Sequence, residues 1–188
     1  ICGTCGLLVN GRPHGPDQNK PACQQRLFSY SDGDTLKIEP MRSAAYPVIK
    51  DMVVDRSALD RVMEKGGFVS IVAGTAPDAD HLLVNHHDAE LALDHAACIG
   101  CGACVAACPN GAAHLFTGAK LVHLTLSPLG RMERGRRAKA MVDEVEGTFG
   151  PCSLYGECAD VCPAGIPLTA VAAITKERAP AAVKGKDA

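Results

Sequence analysis

Four cysteines within eleven residues, closed by a proline, constrain this chain more than any other feature: Cys98-Ile-Gly-Cys101-Gly-Ala-Cys104-Val-Ala-Ala-Cys108-Pro109. Thiols this close in sequence pair poorly with one another, because a disulfide demands a particular Cα separation. Secreted domains that depend on disulfides are usually smaller than this 188-residue chain. Zinc sites usually draw on two separated cysteine pairs and have no use for a third cysteine at this interval. Thiolates are soft, charged ligands that match iron and sulfide. The C-x2-C-x2-C-x3-C-P spacing is that of an iron–sulfur cluster run, in which three thiolates hold one cluster and the fourth reaches a second. Gly100 and Gly102 let the backbone come close and adopt positive φ, so that exposed N–H groups face the sulfurs and tune the potential. Pro109 lacks an N–H and is preset for a first helical turn.

The pattern returns in altered form as Cys152-Ser-Leu-Tyr155-Gly-Glu-Cys158-Ala-Asp-Val-Cys162-Pro163. Cys152, Cys158 and Cys162 match Cys98, Cys104 and Cys108, and Tyr155 stands where the first run has Cys101. Crossing the fourth ligands assigns Cys98, Cys101, Cys104 and Cys162 to one cluster, a [4Fe–4S]. Cys108, Cys152 and Cys158 remain for the other. A cube held by three thiolates tends to lose an iron, so a [3Fe–4S] centre is expected there. The alternative is a [4Fe–4S] whose fourth ligand is water or another side chain.

Cys2-Gly-Thr-Cys5 and the distant Cys23 form the back end of the plant-type pattern C-x4-C-x2-C…C. The first cysteine of that pattern would fall upstream of Ile1. With it supplied, the site is a [2Fe–2S]; otherwise these are three structural or free thiols. His86, His87 and His95 fall in or beside a predicted polar helix and read as surface or capping residues. His114, six residues after the first run, is a candidate neighbour of an electron acceptor. No Ser-His-Asp set, phosphate loop or zinc-protease motif is present, so no catalytic residue is assigned.

Residues 1–55 read as β-rich. Leu7-Leu8-Val9 suggests a strand, 14–21 and 31–34 carry turn chemistry, and Thr35 to Glu39 alternates like a strand. Residues 56–188 read as helical. Ala58, Leu59, Val62 and Met63 share one face, and Asp88 to Ala97 repeats the pattern with Leu91 and Leu93. Arg131 to Glu146 carries a stripe of Ala138, Met141, Val142 and Val145, stopped by Gly147. Pro167 opens a last helix with Leu168, Val171 and Ala172 on one face, and 179–188 reads as a frayed tail. The two cysteine runs, each followed by helix, predict pseudo-twofold packing around two cofactors. A formal net charge of −2 gives no electrostatic footprint for nucleic acid. No run of about twenty apolar residues is present to cross a bilayer, and no signal-peptide pattern stands at the start.

A [2Fe–2S] pattern, a [4Fe–4S] run and a three-iron site, in that order, resemble the iron–sulfur subunit family of succinate dehydrogenase and fumarate reductase. Pro47-Val48-Ile49-Lys50-Asp51-Met52-Val53-Val54-Asp55 is similar to that family's junction between domains. Cys162-Pro163-Ala164-Gly165-Ile166-Pro167-Leu168 is similar to its final cluster loop. The resemblance implies an α+β architecture: a plant-ferredoxin-like β-grasp domain, then an all-helical ferredoxin domain. It implies docking between an FAD-containing flavoprotein subunit and a cytochrome b type membrane anchor with quinone, on the cytoplasmic face of a bacterial inner membrane. It further implies one-electron relay from flavin to quinone or haem in succinate dehydrogenase, or the reverse in fumarate reductase, with no dicarboxylate site on this chain. Two departures stand out. The Cys5–Cys23 gap is long, which makes 14–21 look like an insertion. Asn110-Gly111-Ala112-Ala113-His114 and Ser153 replace the family's common Trp and His, which implies either reliance on the anchor for quinone binding or the use of menaquinone, and the chain resembles the group with a single dihaem cytochrome b anchor. A free-standing ferredoxin-type carrier, a subunit of another oxidoreductase and a zinc module are the rival readings.

Overall fold

The computed structural model describes residues 2–68 and 84–177. The tail reading for 179–188 lies outside the described residues. An N-terminal β-sheet domain precedes a helical domain, as the cysteine patterns imply. Strands β1 (Leu7–Val9), β2 (Arg12–Pro13) and β3 (Ile38–Pro40) form an antiparallel sheet in the order β2-β1-β3. Both prolines sit on edge strands, where a missing ladder donor costs least. Asn10, at φ 50°, and Gly11, at φ 79°, make the β1–β2 turn. Strands β4 (Val48–Lys50) and β5 (Val53–Val54) form a separate hairpin with an irregular register. The Thr35–Glu39 strand starts later than the alternation predicts, at Ile38, because only there does the backbone find β1.

Helix α1 (Ser57–Val62) begins two residues after Asp55, whose carboxylate accepts from Ser57 N–H at 2.9 Å. A π turn over Met63–Gly67 follows it. Helix α2 (His86–Ala96) is capped by Asn85, whose side chain accepts from His87 N–H at 3.0 Å. Helices α3 (Ala103–Ala107), α4 (His114–Leu126), α5 (Arg131–Thr148) and α6 (Glu157–Asp160) complete the labelled set. A 3-10 turn at Leu168–Val171 leads into helix over 172–177.

Ala138, Met141, Val142 and Val145 of α5 are buried and pack with Leu59, Val62, Phe116, Leu121 and Tyr46 in the main core. The ring of Tyr46 meets Phe149 edge-on, with centroids 6.3 Å apart. Four expectations need correction. Gly147 does not stop α5, which runs through it to Thr148. His95 is buried, not at the surface: its Nδ1 lies 2.8 Å from Leu91 O, and α2 turns it toward α4. Leu93 is exposed, because the buried face of α2 runs through Ala92 and His95. In the last helical segment Ala172 is exposed, and Ala170, Ala173 and Ile174 are the buried apolar residues.

The two domains are tied together at the cysteine loops. Leu8 and Met41 pack with Cys101, Ala103 and Val161. The Arg12 guanidinium donates to Asp160 O at 3.1 Å. Arg56 donates to Gly100 O at 3.2 Å and to Cys101 O at 2.8 Å.

Candidate metal centres

The twofold echo in the sequence is written into the backbone. Gly100 (φ 64°), Gly102 (φ 85°) and Gly111 (φ 63°) of the first half are left-handed. So are Leu154 (φ 56°), Gly156 (φ 98°) and Gly165 (φ 66°) of the second, each at the same spacing as Cys98 and Cys152. Gly102 and Gly156 are the caps from which α3 and α6 start. Each run therefore turns through two left-handed residues before its helix begins, and the turns throw the first cysteines and the helical cysteine to one side. Leu154 holds this conformation without glycine's freedom, at a cost of about 1–2 kcal/mol.

Cys98, Cys101, Cys104 and Cys162 line one cavity, with Leu115, Phe116 and Ile166 as its apolar wall. Cys108, Cys152 and Cys158 line a second, with Ala112, His114, Ser153 and Tyr155. Each cavity takes one cysteine from the other run. Among the described residues, no group of three or more His, Cys, Asp or Glu side chains closes on a single metal ion. The thiols border cavities instead.

The donor set fits iron–sulfur groups. Burial pushes the Cys101 thiol up to about 11, and the neighbouring Cys162 and Cys98 add to the rise. Cys104 is driven well above its ordinary range by burial and by the other thiols. Cys158 and Cys162 are raised as well, chiefly by burial. These sulfurs ionise near neutral pH only where a positive centre offsets desolvation. Backbone N–H groups already face some of them. Ile166 N–H donates to Cys162 Sγ at 3.4 Å, and Ala164 and Gly165 N–H also bear on that sulfur. Ala103 N–H faces Cys101 and Ala159 N–H faces Cys158. Such a nest of amides stabilises negative sulfur.

The N-terminal cysteines are arranged less completely. Cys5 and Cys23 come within interaction distance, and the hydrogen bond with Cys5, helped by desolvation, raises the cost of ionising Cys23. Cys2 Sγ instead lies 2.9 Å from Thr4 Oγ1, which favours its thiolate. The 3-10 turn Ala22–Gln24 that carries Cys23 is steadied by His14, whose Nδ1 accepts from Ala22 N–H at 3.2 Å. Gly3, at φ 72°, lies against the first run: a Cβ there would stand 3.0 Å from Ile99 O and 3.3 Å from Cys101 Cα. The Cys2–Cys5 loop and the first cavity therefore share a backbone contact.

Two groups that spacing did not mark hold the second cavity. Asn110 Nδ2 donates to Pro151 O at 3.0 Å and to Ser153 Oγ at 2.9 Å, latching the two runs together. Gly150 packs directly on Asn110 O, where no Cβ would fit. Asn110 directly follows the first Cys-Pro, which is the only signal the sequence offers for it. His86 and His87 are exposed. His114 begins α4 and lines the second cavity.

Comparison with known proteins follows the same division. A family model described as "2Fe-2S iron-sulfur cluster binding domain" matches residues 1–61, and one described as "4Fe-4S dicluster domain" matches residues 97–166. The succinate dehydrogenase iron-sulfur subunit of Bacillus subtilis is 28% identical, over 94% of this chain and 68% of its own length. The fumarate reductase iron-sulfur subunit of Escherichia coli is 31% identical, over 87% of this chain and 64% of its own length. That of Wolinella succinogenes is 29% identical, over 89% of this chain and 69% of its own length. The chain thus spans about two thirds of the length of these relatives, slightly less for the Escherichia coli protein. A chain of the Mycobacterium smegmatis Sdh1 complex in the apo form has the same fold, with a TM-score of 0.65 at 22% identity, covering 99% of this chain and 75% of that one.

Proposed function

The chain belongs to the iron–sulfur subunit family of succinate dehydrogenase and fumarate reductase, and on that premise we propose that it relays single electrons between a flavoprotein subunit and a quinone-binding membrane anchor. The observation that carries the reading is the placement of thiols. Four border one cavity, three border the next, and the Cys2–Cys5 loop touches the first. Our ligand assignment is Cys98, Cys101, Cys104 and Cys162 for a [4Fe–4S], and Cys108, Cys152 and Cys158 for a [3Fe–4S]. Cys2, Cys5 and Cys23 serve a [2Fe–2S] whose fourth ligand lies upstream of Ile1. Residues 1–55 carry the last of these and 56–188 carry the other two.

When bound, such groups supply one-electron steps, which a two-electron flavin partner requires if a distant quinone is to be reached. The protein's own part is to hold, shield and bias. Leu115, Phe116 and Ile166 exclude water from the first cavity. The amides of Ala164, Gly165 and Ile166 stabilise negative charge on Cys162. Arg56 ties the domain junction to the carbonyls of Gly100 and Cys101, which fixes the first run against the N-terminal domain. Among the described residues no helix is long and apolar enough to cross a membrane, which suits a peripheral subunit held at the membrane's cytoplasmic face by its partners. The dicarboxylate chemistry belongs to the flavoprotein in this reading.

Relatives divide between the two directions, and fumarate reductases include the higher identity, 31% against 28%. Fumarate reduction therefore stands beside succinate oxidation, with the balance set by cluster potentials and quinone type. Co-purification from the native host tests the role. A tagged chain is expected to bring a flavoprotein and a membrane protein. A chain that runs alone, fully loaded, is a free-standing carrier and overturns the proposal.

A further inference from the structure

The second cavity carries a nitrogen that no other group among the described residues uses. His114 is the first residue of α4 and borders the cavity along with Cys108, Cys152 and Cys158. Its Nδ1 is buried and has no hydrogen-bond partner among the described residues. A buried polar atom left unpaired costs about 1–3 kcal/mol and calls for an explanation such as a redox role or a missing partner. The twofold relation sharpens the point. The first cavity is walled by the apolar side chains of Leu115, Phe116 and Ile166. At the position related to His114 the second half has Leu168, and that residue does not line the first cavity. An imidazole therefore breaks the internal symmetry at one centre only, the one with three thiols.

We propose that His114 is the hydrogen-bond donor of the second centre, its Nδ1–H directed at a sulfur of the cluster that Cys108, Cys152 and Cys158 hold, where it raises that centre's reduction potential. The inference rests on the three-iron reading of this site. A neutral ring protonated at Nδ1 is a donor there, and cluster sulfurs or cysteine thiolates are the acceptors. Burial favours that neutral ring, since it lowers the pKa of His114. A donor to sulfur stabilises the reduced, more negative state and so raises the potential. Histidine at this position is a positioning and tuning residue, since the thiols alone hold the iron.

The experiment uses the holocomplex with histidine labelled in 15N, and two variants, His114→Leu and His114→Asn. Pulsed EPR of the three-iron signal reads nitrogen hyperfine coupling, and a redox titration of the same signal reads its midpoint. We expect a weak histidine coupling in the native protein, lost in both variants. The midpoint falls in His114→Leu and is at least partly restored in His114→Asn, whose amide nitrogen can take the place of Nδ1. A three-iron signal with no histidine coupling and an unmoved midpoint in His114→Leu overturns the proposal and leaves the three-iron reading intact. Loss of the three-iron signal in the native protein, with a strong coupling of directly bound nitrogen, makes His114 a fourth ligand and overturns both. The persistence of the four-iron signal in each variant separates these outcomes from misfolding.

Discussion

Tyr155 is the residue on which the character of the second centre turns. It stands where the first run has Cys101, lines the second cavity and is largely exposed. Under the proposed assignment, a thiol at that position would supply a fourth ligand to the second centre without disturbing the core. In Tyr155→Cys the sharp isotropic EPR signal of an oxidised three-iron cluster should vanish and a second four-iron signal should arise at lower potential. Retention of the three-iron signal counts against the assignment of Cys108, Cys152 and Cys158. Asn110 is tested differently, because its role is to latch. Its two hydrogen bonds join Pro151 and Ser153 to the first run. Asn110→Ala should cost about 1 kcal/mol, read as a lowered melting temperature of the loaded protein. The three-iron signal should decay faster on storage than the four-iron signal; equal decay of both would detach Asn110 from the second centre.

Among the elements, close backbone approach decides more than propensity does. Gly118 of α4 faces the carbonyl of Ala170, which occupies the space a Cβ would need. Alanine in mid-helix is normally better than glycine by about 1 kcal/mol. Here the obstacle is backbone oxygen that cannot swing aside, and overpacking costs about 1–3 kcal/mol. The clash should win. Gly118→Ala is expected to lower the melting temperature by a few degrees, roughly 2–4 °C per kcal/mol for a chain of this size; a rise would mean that α4 and the 3-10 turn slide apart freely. Sequence periodicity read α5 well, since Ala138, Met141, Val142 and Val145 lie on one stripe and face one core. It misread α2 because Leu93 lies outside the contact with α4 while His95 lies inside it. Histidine's polarity argued for the surface, and a local acceptor, Leu91 O, removed the objection. The grouping of thiols by cavity was legible from the crossing of the two runs. The left-handed Leu154 was not, because nothing in a leucine advertises positive φ; only its alignment with Gly100 reveals it. The strand pairing of β3 and the latch at Asn110 are long-range contacts, and spacing carries no information about them.

At the scale of the whole molecule, the cysteine cavities lie where the N-terminal and helical parts are tied together. Helices α3 and α6 have five and four residues, too few to persist without tertiary support. Both start within the cysteine runs, so under the proposed ligand assignment cluster binding and folding of this region are coupled. Thiols pushed above their usual range by burial, Cys101 to about 11, remain protonated in the empty protein at neutral pH and must lose protons to bind iron. Reconstituting the apo chain with iron and sulfide at about pH 8 should release protons measurable in a pH-stat. Proton release should diminish as the starting pH rises through the raised range of these thiols, since a growing share of them is then already ionised. No release near neutrality would mean that the sulfurs are not the ligands.

The most direct test is metal and acid-labile sulfide analysis of the complex purified without oxygen, combined with EPR in oxidised and reduced states. Iron and sulfide are expected together, with a three-iron signal on oxidation and two-iron and four-iron signals on reduction. A colourless preparation, or one in which zinc replaces iron and sulfide is lacking, contradicts that expectation.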